Sequence, residues 1–410
     1  MKRSFLFTKT SKTAPADEQS NNAKLLIRAG YISKEMAGVY DFLPLGLRTM
    51  NNIEEIIRQE LNAIGCQEIK MTTLQRSEPW EKTDRWDSER MDIWFKTELA
   101  TGSILGLAPT HEEPCTEIMR QFIKSYKDLP VYVYQFQTKF RNELRAKSGI
   151  MRTREFLMKD LYSFNATEEE LNKFYAEVEK AYKKIYDRLG IGEYTFETFA
   201  SGGVFSKYSH EFQTILPVGE DTIYFNKDKS IVLNEEVYND EVLADLGVKR
   251  EELESANAAE VGNIFKLMLK YSEPLGLTYA DEKDENKVVY MGSYGIGVSR
   301  VMGVIAELLS DEKGLVWPEN IAPYKYYLVG IGDKATEIAQ KLHDKHQEKI
   351  IWDDRDVSAG EKFADSELMG IPYRIVISDK TLKKDSVELV DRKTNETKIL
   401  TLEDLSRMLV

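Results

Sequence analysis

Two cysteines in 410 residues, Cys66 and Cys115, stand far apart with no CxxC pair. That excludes a disulfide framework and a zinc ribbon, and leaves two unpaired buried thiols of a reducing compartment. Histidine is almost as scarce, at four. No nucleophile–His–acid arrangement stands out, so a base-driven hydrolase would lack a centre. No apolar run approaches the roughly 20 residues of a membrane span. The hydrophobic stretch in MKRSFLFTKTSKTAPADEQS is too short and interrupted for a signal peptide. Internal repeats and low-complexity tracts are also missing. What remains is the composition of a cytoplasmic globular protein of two or three domains, with 42% apolar and 30% charged residues.

Positive charge is the scarcer sign, for a formal net charge of −13. Much of the acidity is local: residues 219–285 hold seventeen Asp/Glu against seven Lys/Arg. The remaining surface is near neutral, so overall acidity does not exclude a nucleic-acid partner. Against this background, Lys139 to Lys159 gathers seven bases (Lys139, Arg141, Arg145, Lys147, Arg152, Arg154, Lys159) and only two acids, Glu143 and Glu155. A local balance of +5 in so short a stretch implies a bound polyanion.

Periodicity organises the chain. NIEEIIRQELNAIG (52–65) has helical spacing and a glycine stop, and TEEELNKFYAEVEKAYKKIYDRLG (167–190) is a long amphipathic helix capped by Thr167. NEEVYNDEVLADLGVKREELESANAAE is expected to be a short helical insertion with an acidic surface. WPENIAPYK (317–325) is a candidate joint. Beyond it, strand-like and helix-like stretches alternate as in a small α/β domain with a mostly parallel sheet.

Three stretches carry chemistry. VYVYQFQTKFRNE and REFLMKDLYSF alternate as two strands of a long hairpin around the loop LRAKSGIMRT. The alternation puts Arg141 and Glu143 on one face, and Arg154, Phe156, Met158 and Asp160 on one face of the returning strand. Guanidinium for phosphate and a ring for a base suit a nucleoside triphosphate; the plainer alternative is a cationic edge hairpin of ion pairs. MGSYGIGVSR (291–300) is expected to be a glycine turn before a helix, serving phosphate or merely tight packing. LAPTHEEP (107–114) places Thr110, His111, Glu112 and Glu113 at a helix start. A capping box is the simpler account, and a metal reading lacks further clustered histidines.

Together these residues resemble class II aminoacyl-tRNA synthetases. Arg141-x-Glu143, a loop, then Arg152-x-x-x-Phe156-x-x-x-Asp160 matches motif 2. Gly292-x-x-Gly295-x-Gly297-x-x-Arg300 matches motif 3, and PLGLRTMNNIEEIIRQELNAIGCQEIKMTTL takes the place of motif 1. Within the class, RAGYISKEMAGVYDFLPLGLR, LAPTHEE, QTKFRNE, SHEFQ, GEDTIYF and DDRDVSAGEKFADSELMGIP are similar to the bacterial-type prolyl-tRNA synthetase family over almost the whole chain.

The resemblance implies an antiparallel-sheet catalytic domain with flanking helices (1–320) and a small α/β anticodon-binding domain (321–410), in a homodimer. It implies ATP as substrate with Mg²⁺, and L-proline and tRNA(Pro) as partners. Arg141, Arg152 and Arg300 would be the catalytic cations. With Glu143, Phe156, Gly295 and Gly297 they would bind ATP, the ring stacking on adenine. Thr110, Glu112, Arg141, Glu211 and Ser293 would line the proline pocket, with no protein-held metal. Departures from the family text are Thr72 for the closing proline of motif 1, RAKSG (145–149) for RPRFG, Ser293 for cysteine, Asn263 for histidine in EVGHIF, and GGVFSKYSHEF for GGSxSHEF. Members commonly carry a large editing domain between motifs 2 and 3. Only the acidic residues 225–258 stand there, so editing in cis is expected to be absent and a separate trans-editing factor becomes possible. The rival readings are a synthetase-derived tRNA-binding or regulatory protein that no longer charges tRNA, and an ATP-grasp-like or carrier-protein ligase.

Overall fold

Residues 1–144, 146–201 and 208–409 are described by the structure, a computed structural model, with only the backbone of Tyr208. Arg145 of the basic cluster and most of the GGVFSKYSHEF departure lie outside the described residues. The chain divides into two units, Met1–Ile53 with Ser148–Ile150 and Ile305–Val410, and Glu54–Lys147 with Met151–Val304. The N-terminal 53 residues thus pack in one unit with the C-terminal region.

The elements that build the main sheet run, in chain order, α1 (Pro44–Ala63), β1 (Gln67–Glu68), α2 (Glu112–Phe122), β2 (Val131–Phe140), β3 (Glu155–Asn165), α3 (Glu168–Arg188), β4 (Thr195–Ser201), β5 (Tyr208–Ile215), β6 (Asp221–Asn226), β7 (Val232–Asn234), α4 (Asp240–Leu246), β8 (Leu253–Met268), β9 (Tyr290–Gly297) and α5 (Val298–Leu308). Among the described residues the sheet has nine strands, in the order β5-β4-β7-β6-β8-β9-β3-β2-β1. It is antiparallel except where β7 meets β4 and β1 meets β2. Antiparallel strands allow one greasy face and one polar face, and the two faces divide as the alternation requires. Tyr132, Tyr294 and Phe212 meet the buried side of α3, where Phe174 stacks on Tyr132 at 3.5 Å and lies edge-on to Tyr294. On the other face, Val133, Tyr162, Phe265 and Met291 form a core with Cys115, Met119 and Ile123 of the α2 region.

Thr167 caps α3, its side chain accepting from Glu170 N, and Gly65 takes the left-handed conformation (φ 83°) after α1. Two expectations change. α1 starts at Pro44, eight residues before the periodic stretch: proline suits a first helical turn, and Leu45 and Met50 are already buried there. The acidic segment 225–258 is not mainly helical. Only Asp240–Leu246 is α-helix, while β7 and the first part of β8 join the sheet. Leu233, Val237, Val242 and Leu243 give it a small core of its own.

In the first unit, the C-terminal region follows the expected alternation: β10 (Tyr326–Ile331), α6 (Asp333–Lys345), β11 (Ile350–Asp353), α7 (Ala359–Met369) and β12 (Tyr373–Ser378), then β13 (Val387–Asp391) and β14 (Thr397–Leu400). β11, β10 and β12 are parallel, and β13 and β14 extend the sheet antiparallel. No helix among the described residues is long and apolar enough to cross a membrane.

Lys159 is a cost inside this fold. It lies fully buried on the α3 side, where its ammonium donates to the Tyr182 hydroxyl and, at 2.9 Å, to Tyr294 O. Burial pushes it down to about 7. Above that pH the unfolded chain binds the extra proton, so Lys159 makes the protein more stable as pH rises from about 7 towards 10. The unfolding free energy of the wild type should gain about 2 kcal/mol on Lys159→Met between pH 7 and 9. Denaturant titrations with parallel pH dependence for the two proteins would contradict this.

Candidate active site

The polar face is laid out in rows. Glu211, Asn263, Gly295, Asp160 and Gln135 stand in register across β5, β8, β9, β3 and β2. Gly297, Met158 and Gln137 form the next row, and Ser293 and Tyr162 the row on the other side. The glycines of MGSYGIGVSR therefore do not make a turn. The strand continues through Gly297 and α5 begins at Val298. Large Tyr294 and Ile296 alternate with small Ser293, Gly295 and Gly297, so the bulky residues fill the α3 side and the small ones floor the site. A Cβ on Gly295 would come within 2.7 Å of Met158 and 2.8 Å of Asn263 Oδ1.

At one end of this floor lies α2. Its N-cap is His111, yet no side chain caps it, so the capping box is not formed. Thr110 Oγ1 reaches instead to both carboxylate oxygens of Glu112, at 2.9 and 2.7 Å, and Ser293 Oγ donates to Glu112 Oε1 at 3.1 Å. Arg85 Nη1 bridges Glu112 Oε2 at 3.3 Å and both oxygens of Glu113 at 3.0 and 3.1 Å. Burial, with Glu112 beside it, pushes the Glu113 carboxyl up to about 7 despite Arg85.

Below lies a second buried network. Lys139 Nζ pairs with Asp160 Oδ1 at 2.8 Å and contacts His111 Nδ1 at 2.5 Å. Asp160 Oδ2 accepts from Gln135 Nε2 and Tyr162 OH, both at 3.0 Å. His111 Nε2 lies 3.0 Å from Thr72 O, which can only accept, so Nε2 carries the ring proton and Nδ1 accepts. Burial and Lys139 lower the His111 pKa to about 3, which keeps the ring neutral. Both ring nitrogens are thus taken, which leaves the metal reading of LAPTHEEP no free ligand at His111.

The basic cluster is consequently smaller than its count. Lys139 and Lys159 are fully buried on opposite faces, and Arg154 Nε donates to Glu143 O at 3.0 Å. Of its described members Arg141, Arg152 and the exposed Lys147 remain for a ligand, joined by Arg300 from α5. The Arg141 guanidinium lies 5.2 Å from the Phe156 ring, and Nε reaches Pro109 O at 3.4 Å. It makes no ion pair with the described residues. Burial and neighbouring Arg300 hold its pKa below the ordinary guanidinium value. Arg152 donates to Glu143 at 2.9 Å and Glu220 at 3.1 Å, and Arg300 donates to Met151 O at 2.7 Å and Glu260 O at 2.9 Å. Glu211 accepts from Gln213 at 3.0 Å and Asn234 at 3.1 Å, not from Thr110 or Ser293. Burial with Glu260 nearby pushes it up to about 8. Sequence reasoning missed Arg85, Glu220 and Glu260 as site residues, which no periodicity distinguishes from surface charges; Glu113 it placed at the helix start without a role in the site.

Residues 93–308 match the profile of the tRNA synthetase class II core domain (G, H, P, S and T), and residues 324–410 that of the anticodon binding domain. The chain is 35% identical over 425 residues to a proline–tRNA ligase of Anaplasma phagocytophilum, covering 99% of each. It is 36% identical over 419 residues to one of Ehrlichia chaffeensis, covering 98% of each. Such coverage leaves no room for a large inserted domain in either relative. Among solved structures it is similar to Giardia lamblia prolyl-tRNA synthetase in complex with prolyl-adenylate (TM-score 0.77, 21% identity, 93% of this chain and 74% of that one). It is also similar to the Cryptosporidium parvum prolyl-tRNA synthetase complexed with L-proline and AMP (TM-score 0.76, 18% identity, 95% and 74%). At these identities the structural likeness concerns the fold.

The Lys139–Asp160 pair yields a stability test. Asp160→Asn leaves a buried ammonium without its counter-charge and should cost about 3–5 kcal/mol. Removing both charges, in Lys139→Met with Asp160→Asn, should cost less than the sum of the two single changes. Additive losses in denaturant titrations would mean that the charges act independently.

Proposed function

The chain belongs to the prolyl-tRNA synthetases of class II, and on that premise we propose how its polar face joins L-proline to tRNA(Pro) at the expense of ATP. One observation carries the assignment of the face. A buried carboxylate held by Thr110, Ser293 and Arg85 lies at one end of a glycine floor, and Arg141, a guanidinium without an ion pair among the described residues, marks the other.

Proline enters with its secondary ammonium towards Glu112 and Thr110, since a cation in so dry a place needs an anionic partner. Its carboxylate then lies towards Arg141. ATP binds with adenine on Phe156 and its triphosphate towards Arg152 and Arg300, which exchange Glu143, Glu220 and Glu260 for phosphate oxygens. Gly295 and Gly297 leave the floor low enough for the ligand. The proline carboxylate attacks the α-phosphorus and pyrophosphate leaves. A hydroxyl of the terminal ribose of tRNA then attacks the prolyl carbonyl, the acyl–phosphate bond breaks, and AMP leaves with the prolyl ester formed. Alignment and charge neutralisation supply the rate enhancement, so no general base is required for activation. Among the described residues no three carboxylate, histidine or cysteine side chains gather as a metal cage, so most ligands of Mg²⁺ would come from phosphate oxygens and water. Glu260 would hold Mg²⁺ together with phosphate oxygens, and the ion when bound offsets charge on the triphosphate. Glu211 then closes the far side of the proline pocket.

Residues 321–410 read the anticodon, the enzyme acts as a cytoplasmic homodimer, and any removal of mischarged alanine is left to a separate protein. A synthetase-derived protein without charging activity is the rival reading. Proline-dependent ATP–pyrophosphate exchange decides between them. The wild type should exchange, and a folded Arg141→Ala should lose at least 100-fold, the loss of about 3 kcal/mol of transition-state contact. Near-wild-type exchange by the variant would remove Arg141 from the site.

Alanine is smaller than proline, and missing methylene contacts discriminate by only about 1–3 kcal/mol. Residues 225–258 are taken up by sheet strands and one short helix, which leaves no second hydrolytic site there. The protein should form alanyl-tRNA(Pro) slowly and leave preformed product intact. Release of labelled alanine above a no-enzyme control would show editing in cis.

A further inference from the structure

Arg85 belongs to none of the class motifs, yet both acidic residues at the head of α2 converge on it. It is 6% exposed, and its neighbours Glu112 and Glu113 are 1% and 0% exposed. Its guanidinium lies 5.0 Å from the Trp80 ring and 5.2 Å from the Tyr271 ring. Its backbone carbonyl accepts from Trp94 Nε1 at 2.9 Å. Glu113 is held in turn by Thr83 Oγ1 at 2.7 Å. Loop 83–85, α2 and the stretch after β8 thus close on one planar cation.

Nη1 reaches Glu112 at Oε2, while it spans both oxygens of Glu113. The other oxygen, Glu112 Oε1, receives Ser293, and Thr110 Oγ1 lies within reach of both oxygens, at 2.9 Å from Oε1 and 2.7 Å from Oε2. The two ends of the Glu112 carboxylate therefore have different duties. Glu113 fixes Arg85, and Arg85 fixes the rotation of Glu112. A lysine could supply the charge but not the flat guanidinium that lies near the Trp80 and Tyr271 rings.

We propose that Arg85 is the positioning residue for imino-acid recognition, clamping Glu112 through Oε2 so that Oε1 is presented to the substrate ammonium, with Glu113 as its anchor. This rests on the reading of Glu112 as the ammonium partner and adds the residue that orients it. The ion pairs of Arg85 with Glu112 and Glu113 lie at the amino-acid end of the site, so its effect is expected on the amino acid more than on ATP.

The test is proline-dependent ATP–pyrophosphate exchange with each substrate varied at saturation of the other, on the full-length protein. Arg85→Met should raise the proline KM at least tenfold and leave the ATP KM within twofold. Arg85→Lys should recover part of the loss. Glu113→Gln, which loosens the anchor and leaves Arg85 in place, should raise the proline KM several-fold with the ATP KM unchanged. Should Arg85→Met fail to fold, the lysine and glutamine variants carry the comparison by themselves. Wild-type proline KM in both of them, or equal rises in proline and ATP KM, would overturn the proposal and leave Arg85 a structural staple of its loop. Absence of exchange in the wild type would instead overturn the functional reading on which it rests.

Discussion

Glu112 and Glu113 are consecutive carboxylates at the head of one helix, and the fold leaves them 1% and 0% of their surface exposed. Two such groups repel, and burial penalises the charge of each. The surrounding structure answers that constraint. Arg85 supplies the counter-charge, and the rings of Trp80 and Tyr271 lie near it. Thr110 and Ser293 supply hydroxyl donors. Ser293 can reach Glu112 only because β9 presents small residues at alternate positions beneath it. A carboxylate kept dry, hydrogen-bonded and in one orientation is prepared for a cation that arrives without its water.

The same division of labour runs through the sheet. One face is filled by the aromatic side of α3 and needs large residues such as Tyr294 and Tyr132. The other must stay low, polar and preorganised. Asp160 shows how closely the faces are coupled in sequence: it anchors Lys139 and His111 under the site, while adjacent Lys159 is driven into the α3 side. Period two forces neighbouring charged residues onto opposite faces. The Asp160 network lies directly beneath the residues that orient Glu112, through His111, the residue between Thr110 and Glu112. Chemistry that relies on alignment more than on proton transfer needs this kind of rigidity.

Much of this was legible in the sequence. Strand alternation correctly put Phe156 and Asp160 on one face of β3, because two-residue periodicity survives any tertiary context; Arg141 and Glu143 instead lie past the end of β2, where Glu143 N turns back to Arg141 O at 2.8 Å, so alternation does not set their side. Helix caps at Thr167 and Gly65 followed from local backbone chemistry. Other features were hidden for physical reasons. The glycine run has the composition of a turn, and only its strand partners reveal that the missing side chains make a floor. Counting charges from Lys139 to Lys159 overstated the cradle, since a count cannot tell a buried ion pair from a phosphate ligand. Residues 225–258 look helical because their polar spacing is not that of a half-buried strand, yet β7 and β8 recruit them by pairing across long sequence separations. Arg85 was invisible because its partners lie 27 and 28 positions away.

The central claim is that one face holds the imino acid by Glu112 and the activated phosphate by Arg141. A crystal structure of the protein with a non-hydrolysable prolyl-adenylate analogue tests it most directly. The account predicts the pyrrolidine nitrogen within hydrogen-bond distance of Glu112 and Thr110, the phosphate mimic against Arg141, and adenine on Phe156. A pyrrolidine nitrogen turned away from Glu112, with that carboxylate still closed on Thr110, Ser293 and Arg85 alone, would contradict it.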